Sequence, residues 1–314
     1  MNQKEEYRRI CRELNMPLFA SPFWLDLVCG NDKWDVVLTK KGDKVSGVLP
    51  YFFKRKGFIG MPPLTPYMGP IIFYPKDMKY SKRLSHEHQV LQELIERLPG
   101  FRFYNQRLHY SLQNWLAYYW DNYKQTTKYT YLLEDISNLE AVFAGFKSNV
   151  KRNIRKAEDQ FSVRPLKSKE IRDYYAIIKK NRKPNYSEDF LYRLIKGCDE
   201  ENCGKTFAAF DRNKQLFACV FIVWDKESAY YILGTRNSDV QTQQAMSLIL
   251  WESIRYLSGR VKVFDFEGSM IEPIERYFRT YGSKQQSYFQ ITKNNSILFK
   301  LIFCFADIIN KKIY

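Results

Sequence analysis

The sequence predicts an α/β protein of two domains, and three observations carry that expectation. At 314 residues the chain exceeds the size at which a single hydrophobic core usually stops growing. Hydrophobic residues make up 45% and aromatic residues 17% of it, too much apolar surface for a disordered chain. The strand and helix patterning restarts from about Thr127, which marks a second domain. The expected division is therefore 1–130 and 131–314, the second part ending in a terminal helix.

Taken in order, the opening MNQKEEYRRICRELN is charged and helix-like. It has no apolar run followed by a small-residue cleavage site, so a cytoplasmic location is expected. Trp34 to Lys40 and Lys44 to Lys54 are β-rich, alternating runs around Lys41-Gly42-Asp43 and read as a hairpin. Met61 to Pro75 carries five prolines and one glycine, which forbids a helix and predicts a rigid extended loop. Ser81 to Leu98 places Leu84, Leu91, Leu94, Ile95 and Leu98 on one helical side and stops at Pro99-Gly100. A strand over Phe101 to Leu108 follows.

The second half opens with a strand (Thr130 to Leu133), a helix capped near Ser137 or Asn138, and a basic helix running to about Gln160. Phe207 to Phe210, Leu216 to Trp224 and Ala229 to Leu233 are strands separated by short polar turns, an antiparallel meander. A helix (Gln241 to Leu257), a strand (Val261 to Phe266), a helix (Pro273 to Tyr281) and a strand (Gln286 to Ile291) complete the pattern. The apolar tract Ser296 to Ile309 is interrupted by Lys300 and Asp307. It is shorter than the roughly 20 residues needed to span a bilayer, and reads as a terminal or interfacial helix.

Lys and Arg number 50 against 34 Asp and Glu, a net charge of +16, which suits an anionic partner such as a phosphate ester, RNA or a lipid surface. There is no G-x-G-x-x-G and no G-x-S-x-G, excluding the usual dinucleotide loop and nucleophile elbow. Gly197 to Gly204-Lys205-Thr206 is spaced too widely for a phosphate loop and runs into a strand. His86 and His88 fall on different sides of a helix, so no metal site is expected. No histidine follows His109, which excludes a histidine-based triad within the second half. The six cysteines read as reduced packing residues.

Two stretches carry chemistry. Across Lys147 to Gln160, Lys147, Lys151, Arg152, Arg155 and Lys156 share one half of the helix, while Val150, Ile154 and Ala157 share the other. Like charges one turn apart repel, so this face is a candidate anion-binding surface. In Val261 to Gly282 the apolar strand ends in Asp265 and Glu267, which period-two alternation puts on one face about 7 Å apart. The turn at Gly268 leaves them at a sheet edge, where α/β sites usually sit.

At these stretches the chain resembles the Fem-like branch of the GNAT N-acyltransferase superfamily, and the likeness covers most of its length. Lys147 to Ala157 resembles the basic helix that opens the family's second domain, with shifted spacing, and Tyr230 to Arg236 its Y-x-x-G strand end. Asp265 to Gly282 matches its D-F-E-G-S-M block, and Gly47-Val48-Leu49-Pro50 and Pro62 to Pro70 match its first domain. The meander, helix, strand, helix, strand order is that of the GNAT fold. The resemblance implies two GNAT-like lobes, each a mixed, mostly antiparallel sheet flanked by helices, with a cleft between them. It also implies transfer of an acyl or aminoacyl group to an amine of a cell-envelope or small-molecule acceptor, from acyl-CoA or aminoacyl-tRNA as donor.

Two departures stand out. Thr235 to Gln244 lacks the glycine of a coenzyme A pyrophosphate loop, and Phe278 stands where the bridge-forming enzymes carry a lysine in an F-K-x-x-F pattern. The candidate catalytic residues are Asp265, Glu267, Arg279 and Tyr281. Those expected to bind an anionic, phosphate-bearing substrate, whether nucleotide-linked, lipid-linked or tRNA, are Lys147, Lys151, Arg152, Arg155, Lys156, Arg236 and Arg276. The rival expectations are a non-catalytic RNA-binding protein and a peripheral membrane protein of surface-polymer assembly, in contact with the membrane surface. The motifs do not specify an oligomeric state.

Overall fold

The structure, a computed structural model, describes residues 2–14, 16–237, 244–268 and 270–296. It is α+β and divides into two units: Met1–Thr127 joined by the chain from Tyr288 onward, and Lys128–Ser287. The expected division gave everything after residue 130 to the second domain, whereas the contacts group the stretch from Tyr288 with the first. The two crossings fall within the strands β6 (Lys124–Leu133) and β12 (Lys284–Asn294).

In the first unit, β1 (Trp34–Lys41) and β2 (Lys44–Arg55) form the expected hairpin, turning at Gly42 with φ 62°. The order continues through β3 (Phe58–Gly60) and β5 (Phe103–Arg107) to β12, with β4 (Ile71–Ile72) beside β2. All these pairings are antiparallel except β3 with β5. The helix α3 (Tyr80–Glu96) buries Val90, Leu91, Leu94 and Ile95 against Leu49, Tyr104 and Ile291. Gly47 admits it, because a Cβ there would lie 2.3 Å from Val90 Cγ1. The proline-rich loop is held by hydrogen bonds from the Met68 and Gly69 amides to the Arg107 carbonyl at 3.2 and 3.1 Å.

In the second unit the order is β6, β11 (Val263–Asp265), β10 (Ser228–Arg236), β9 (Leu216–Trp224), β8 (Gly204–Phe210) and β7 (Ser162–Pro165). Only β10 with β11 is parallel. The basic helix α6 (Ser148–Glu158) buries Val150, Ile154 and Ala157, the apolar face its spacing predicts, in one core with Leu248, Ile249 and Leu250 of α9 (Gln244–Leu257). The helices α7 (Ile171–Asn181) and α8 (Glu188–Glu200) lie where the sequence reading named no element. They bury Ile171, Tyr174 and Ile178, and Leu191, Leu194, Ile195 and Cys198, respectively.

Among the described residues no helix is long and apolar enough to cross a membrane. No group of three or more His, Cys, Asp or Glu side chains there is placed to hold a metal ion. The tract after Ser296, and the middle of the glycine-free stretch after Thr235, lie outside the described residues.

Candidate active site in the second unit

Parallel pairing of β10 with β11 ends at Tyr230 opposite Asp265. Beyond that pair β10 runs on to Arg236 alongside β9, while the segment after β11 parts from β10 and stays against β6, the Phe266 amide donating to the Tyr131 carbonyl at 3.0 Å. The two strands separate at their carboxyl ends, the place where parallel sheets leave room for a ligand. The β10–β9 register also shifts between Tyr231 and Leu233. Such a bulge inserts an unpaired residue into the ladder and re-aims its neighbours. A cavity of about 520 Å³ occupies the opening. It is bounded by Tyr231 to Arg236 of β10, Asn181 and Arg182 at the end of α7, Met246 of α9, Phe266 to Gly268, and one side of α10 (Glu272–Arg279).

Each wall has a local cause. Asn181 Nδ2 donates to Thr235 Oγ1 at 2.8 Å and to the Arg236 carbonyl at 2.6 Å, fixing the end of α7 against β10. On α10, Pro273, Ile274, Tyr277 and Phe278 face the cavity, the i, i+1, i+4, i+5 spacing of one helical side. Phe278 stacks on Phe266 with centroids 5.2 Å apart and meets Tyr231 edge-on at 5.7 Å. The aromatic at the position of the family's lysine is thus a wall, 4% exposed.

Asp265 and Glu267 do not emerge side by side as strand alternation predicts. The strand stops at Asp265, and Glu267 adopts φ 55°, a left-handed conformation uncommon for a residue with a side chain. Asp265 is 3% exposed. Its Oδ1 accepts hydrogen bonds from the Thr130 hydroxyl and, at 2.7 Å, from the Glu267 amide. Burial pushes the Asp265 carboxyl up to about 7, against the opposing effect of those two donors. Gly268 follows with φ 32°, and a Cβ there would lie 1.9 Å from the Tyr129 carbonyl oxygen. The buried aspartate and the glycine therefore hold a turn that puts Glu267 on the cavity wall.

The other predicted residues separate into distinct groups. Arg236 lines the cavity. Tyr281 is fully buried; its hydroxyl lies 2.6 Å from that of Tyr277, which does line the cavity. Burial raises both tyrosines, most strongly Tyr281, while Arg236 acts in the opposite direction on Tyr277. Arg276 and Arg279 are outside the lining, paired along their own helix with Glu272 and, at 3.2 Å, with Glu275. Lys147, Lys151, Arg152, Arg155 and Lys156 also lie outside it. Lys151 donates to the Ala144 carbonyl at 2.7 Å, and none of the five belongs to an ion pair found among the described residues. Arg182, Tyr231 and Tyr277 are cavity residues that the sequence reading did not single out. Tyr277 stands one turn before Tyr281, a spacing that could have drawn it into the candidate set.

Residues 144–279, a span that includes the whole cavity lining, match the sequence family described as "Acetyltransferase (GNAT) domain". Residues 144–279 therefore carry a GNAT acetyltransferase-type domain, and the fold of the second unit agrees with it. The two-unit fold is similar to that of FemX, whose crystal structure superposes with a TM-score of 0.65 at 9% identity, covering 91% of this chain and 95% of that one. The C-terminal domain of a putative lysylphosphatidylglycerol synthetase from Agrobacterium fabrum gives a TM-score of 0.55 at 9% identity, with 93% of each chain covered. A tandem GNAT protein from the clavulanic acid biosynthesis pathway gives 0.51 at 10% identity, with 94% of each covered. No curated protein matches the chain in sequence.

Proposed function

We propose that the second-unit cavity is where an amine acceptor attacks an activated acyl or aminoacyl carbonyl, supplied as acyl-CoA or aminoacyl-tRNA. The observation that carries this reading is the placement of a carboxylate (Glu267), a hydroxyl (Tyr277) and two guanidinium groups (Arg182, Arg236) around one cavity at the separated ends of β10 and β11. Glu267 takes the proton that the amine loses as the new C–N bond forms. The bond to the donor's sulfur or oxygen breaks, and Tyr277, supported by Tyr281, gives a proton to the leaving group. Arg236 and the backbone amides at the β10 bulge offset the charge that gathers on the carbonyl oxygen. Asp265 acts through the turn, positioning Glu267. The acceptor amine belongs to a cell-envelope precursor or a small molecule. The exposed basic face of α6 offers a landing surface for a phosphate-rich carrier.

The test is to incubate the protein with acyl-CoA thioesters and charged tRNAs against a panel of amine-bearing envelope precursors and small amines, seeking new amides by mass spectrometry. Metabolites of deletion and parent strains would guide the panel. Glu267→Gln keeps the shape and removes the base. It should lower turnover by about 10²-fold or more with the melting temperature unchanged. Full activity of that variant would overturn the assignment. RNA retention with no amide from any pair would favour a non-catalytic RNA-binding protein.

A further inference from the structure

Three aliphatic side chains stand in water beside the cavity. Met270 is 58%, Ile271 60% and Ile274 40% exposed, and they are the exposed large aliphatic residues among the described part of the second unit. Singly exposed apolar residues are normal on a protein surface, whereas a group of them beside a cleft marks something that covers them. These three come from the turn after Gly268 and the start of α10, and Ile274 is itself part of the cavity wall. Inward from Ile274 the lining continues with Phe278, Phe266 and Met246. An apolar strip thus runs from the inside of the cavity to the surface. Elsewhere the same cavity presents Arg182 and Arg236. The lining thus offers guanidinium groups to an anion and an aliphatic surface to a chain.

We infer that the substrate held in this cavity carries a medium-length or long aliphatic acyl chain. The chain lies over Met246, Phe266 and Ile274 and leaves across Ile271 and Met270, with an anionic group toward Arg182 and Arg236. This rests on the reading of the cavity as the acyl-transfer site and narrows its substrate class. A short acetyl or aminoacyl group would leave the outer part of the strip in water. The same chemistry could arrive on a thioester donor or on a phospholipid acceptor.

Titration calorimetry below the critical micelle concentration decides the matter, with coenzyme A thioesters of two to twelve acyl carbons as one arm and lysophospholipids of matching chain length as the other. In at least one arm affinity should rise roughly threefold to fourfold per added methylene until the strip is covered. The arm that shows the rise identifies the source. The rise should flatten in a Met270→Ser/Ile271→Ser variant, whose replaced side chains are already exposed, with the melting temperature serving as the folding control. Affinity independent of chain length in both arms, or a rise that the variant leaves intact, would overturn the inference. Chain-length-dependent binding without amide product would sink the acyl-transfer reading and leave this one standing. Turnover of short acyl donors without chain-length dependence would do the reverse.

Discussion

Asp265 shows how one buried carboxylate can serve a site that it does not enter. Leaving water is unfavourable to its charged form, so the proton is retained to a higher pH than in the unfolded chain. The folded value of about 7 lies above the ordinary 3.8. The stability this residue contributes is therefore complete below about pH 4, declines as pH rises toward 7, and is level above that. Asp265→Asn has no proton to lose and can accept both hydrogen bonds on the same oxygen. Denaturant unfolding of both proteins at pH 5 and pH 8 should show the wild type losing stability relative to the variant by about 2 kcal/mol or more. A difference that does not change with pH would mean that Asp265 is already ionised at pH 5. The same residue marks a limit of sequence reasoning. Asp265 and Glu267 were legible as a pair of interest, but alternation assigned them one face. Only a left-handed φ at Glu267, set by the Thr130 contact and by Gly268 against the Tyr129 carbonyl, sends one inward and the other to the cavity. Thr130 is 135 residues distant in sequence, and no local pattern encodes that meeting.

At the scale of elements, α6 separates into a face that folds and a face that is available. Val150, Ile154 and Ala157 are buried, while Lys147, Arg152, Arg155 and Lys156 are exposed. Repulsion along Lys147, Lys151 and Arg155, and between Arg152 and Lys156, slightly destabilises the helix, so reversing two of those charges should not unfold it. Arg152→Glu/Arg155→Glu is expected to weaken binding to single-stranded RNA or polyphosphate and to lower the slope of log affinity against log salt by about 1 to 2. Unchanged affinity and slope would make the helix an ordinary solvated surface. This element was legible because its apolar residues repeat at helical spacing, as β9 was because its apolar run is long and bounded by turns. Ile171, Tyr174 and Ile178 of α7 carry the same spacing, interrupted by enough charge to obscure it. Arg182 could not be found in this way: it reaches the cavity because Asn181, its neighbour, is bonded to β10, a contact made only after folding.

Over the whole molecule, the chain enters the second unit within β6 and returns to the first within β12. The sequence reading placed Gln286 to Ile291 at the end of the second domain, because a strand after a helix completes that domain's pattern and nothing local reveals which sheet receives it. Ile291 is fully buried in the core that contains Leu49, Leu91, Leu94 and Tyr104, and β12 pairs with β5 from Gln290 opposite Arg107 to Asn294 opposite Phe103. Residues as far apart as Leu91 and Ile291, 200 positions along the chain, thus close the first core. Ile291→Ala should cost about 2 to 5 kcal/mol, the usual effect of deleting buried aliphatic volume. Its location can be read by hydrogen exchange with mass spectrometry. Exchange should quicken in peptides from α3 and β5 of the first unit, while peptides from β8 and β9 keep their protection. The reverse pattern, with β8 and β9 loosened and α3 unaffected, would show that β12 stabilises the second core and that the boundary drawn at Tyr288 is wrong.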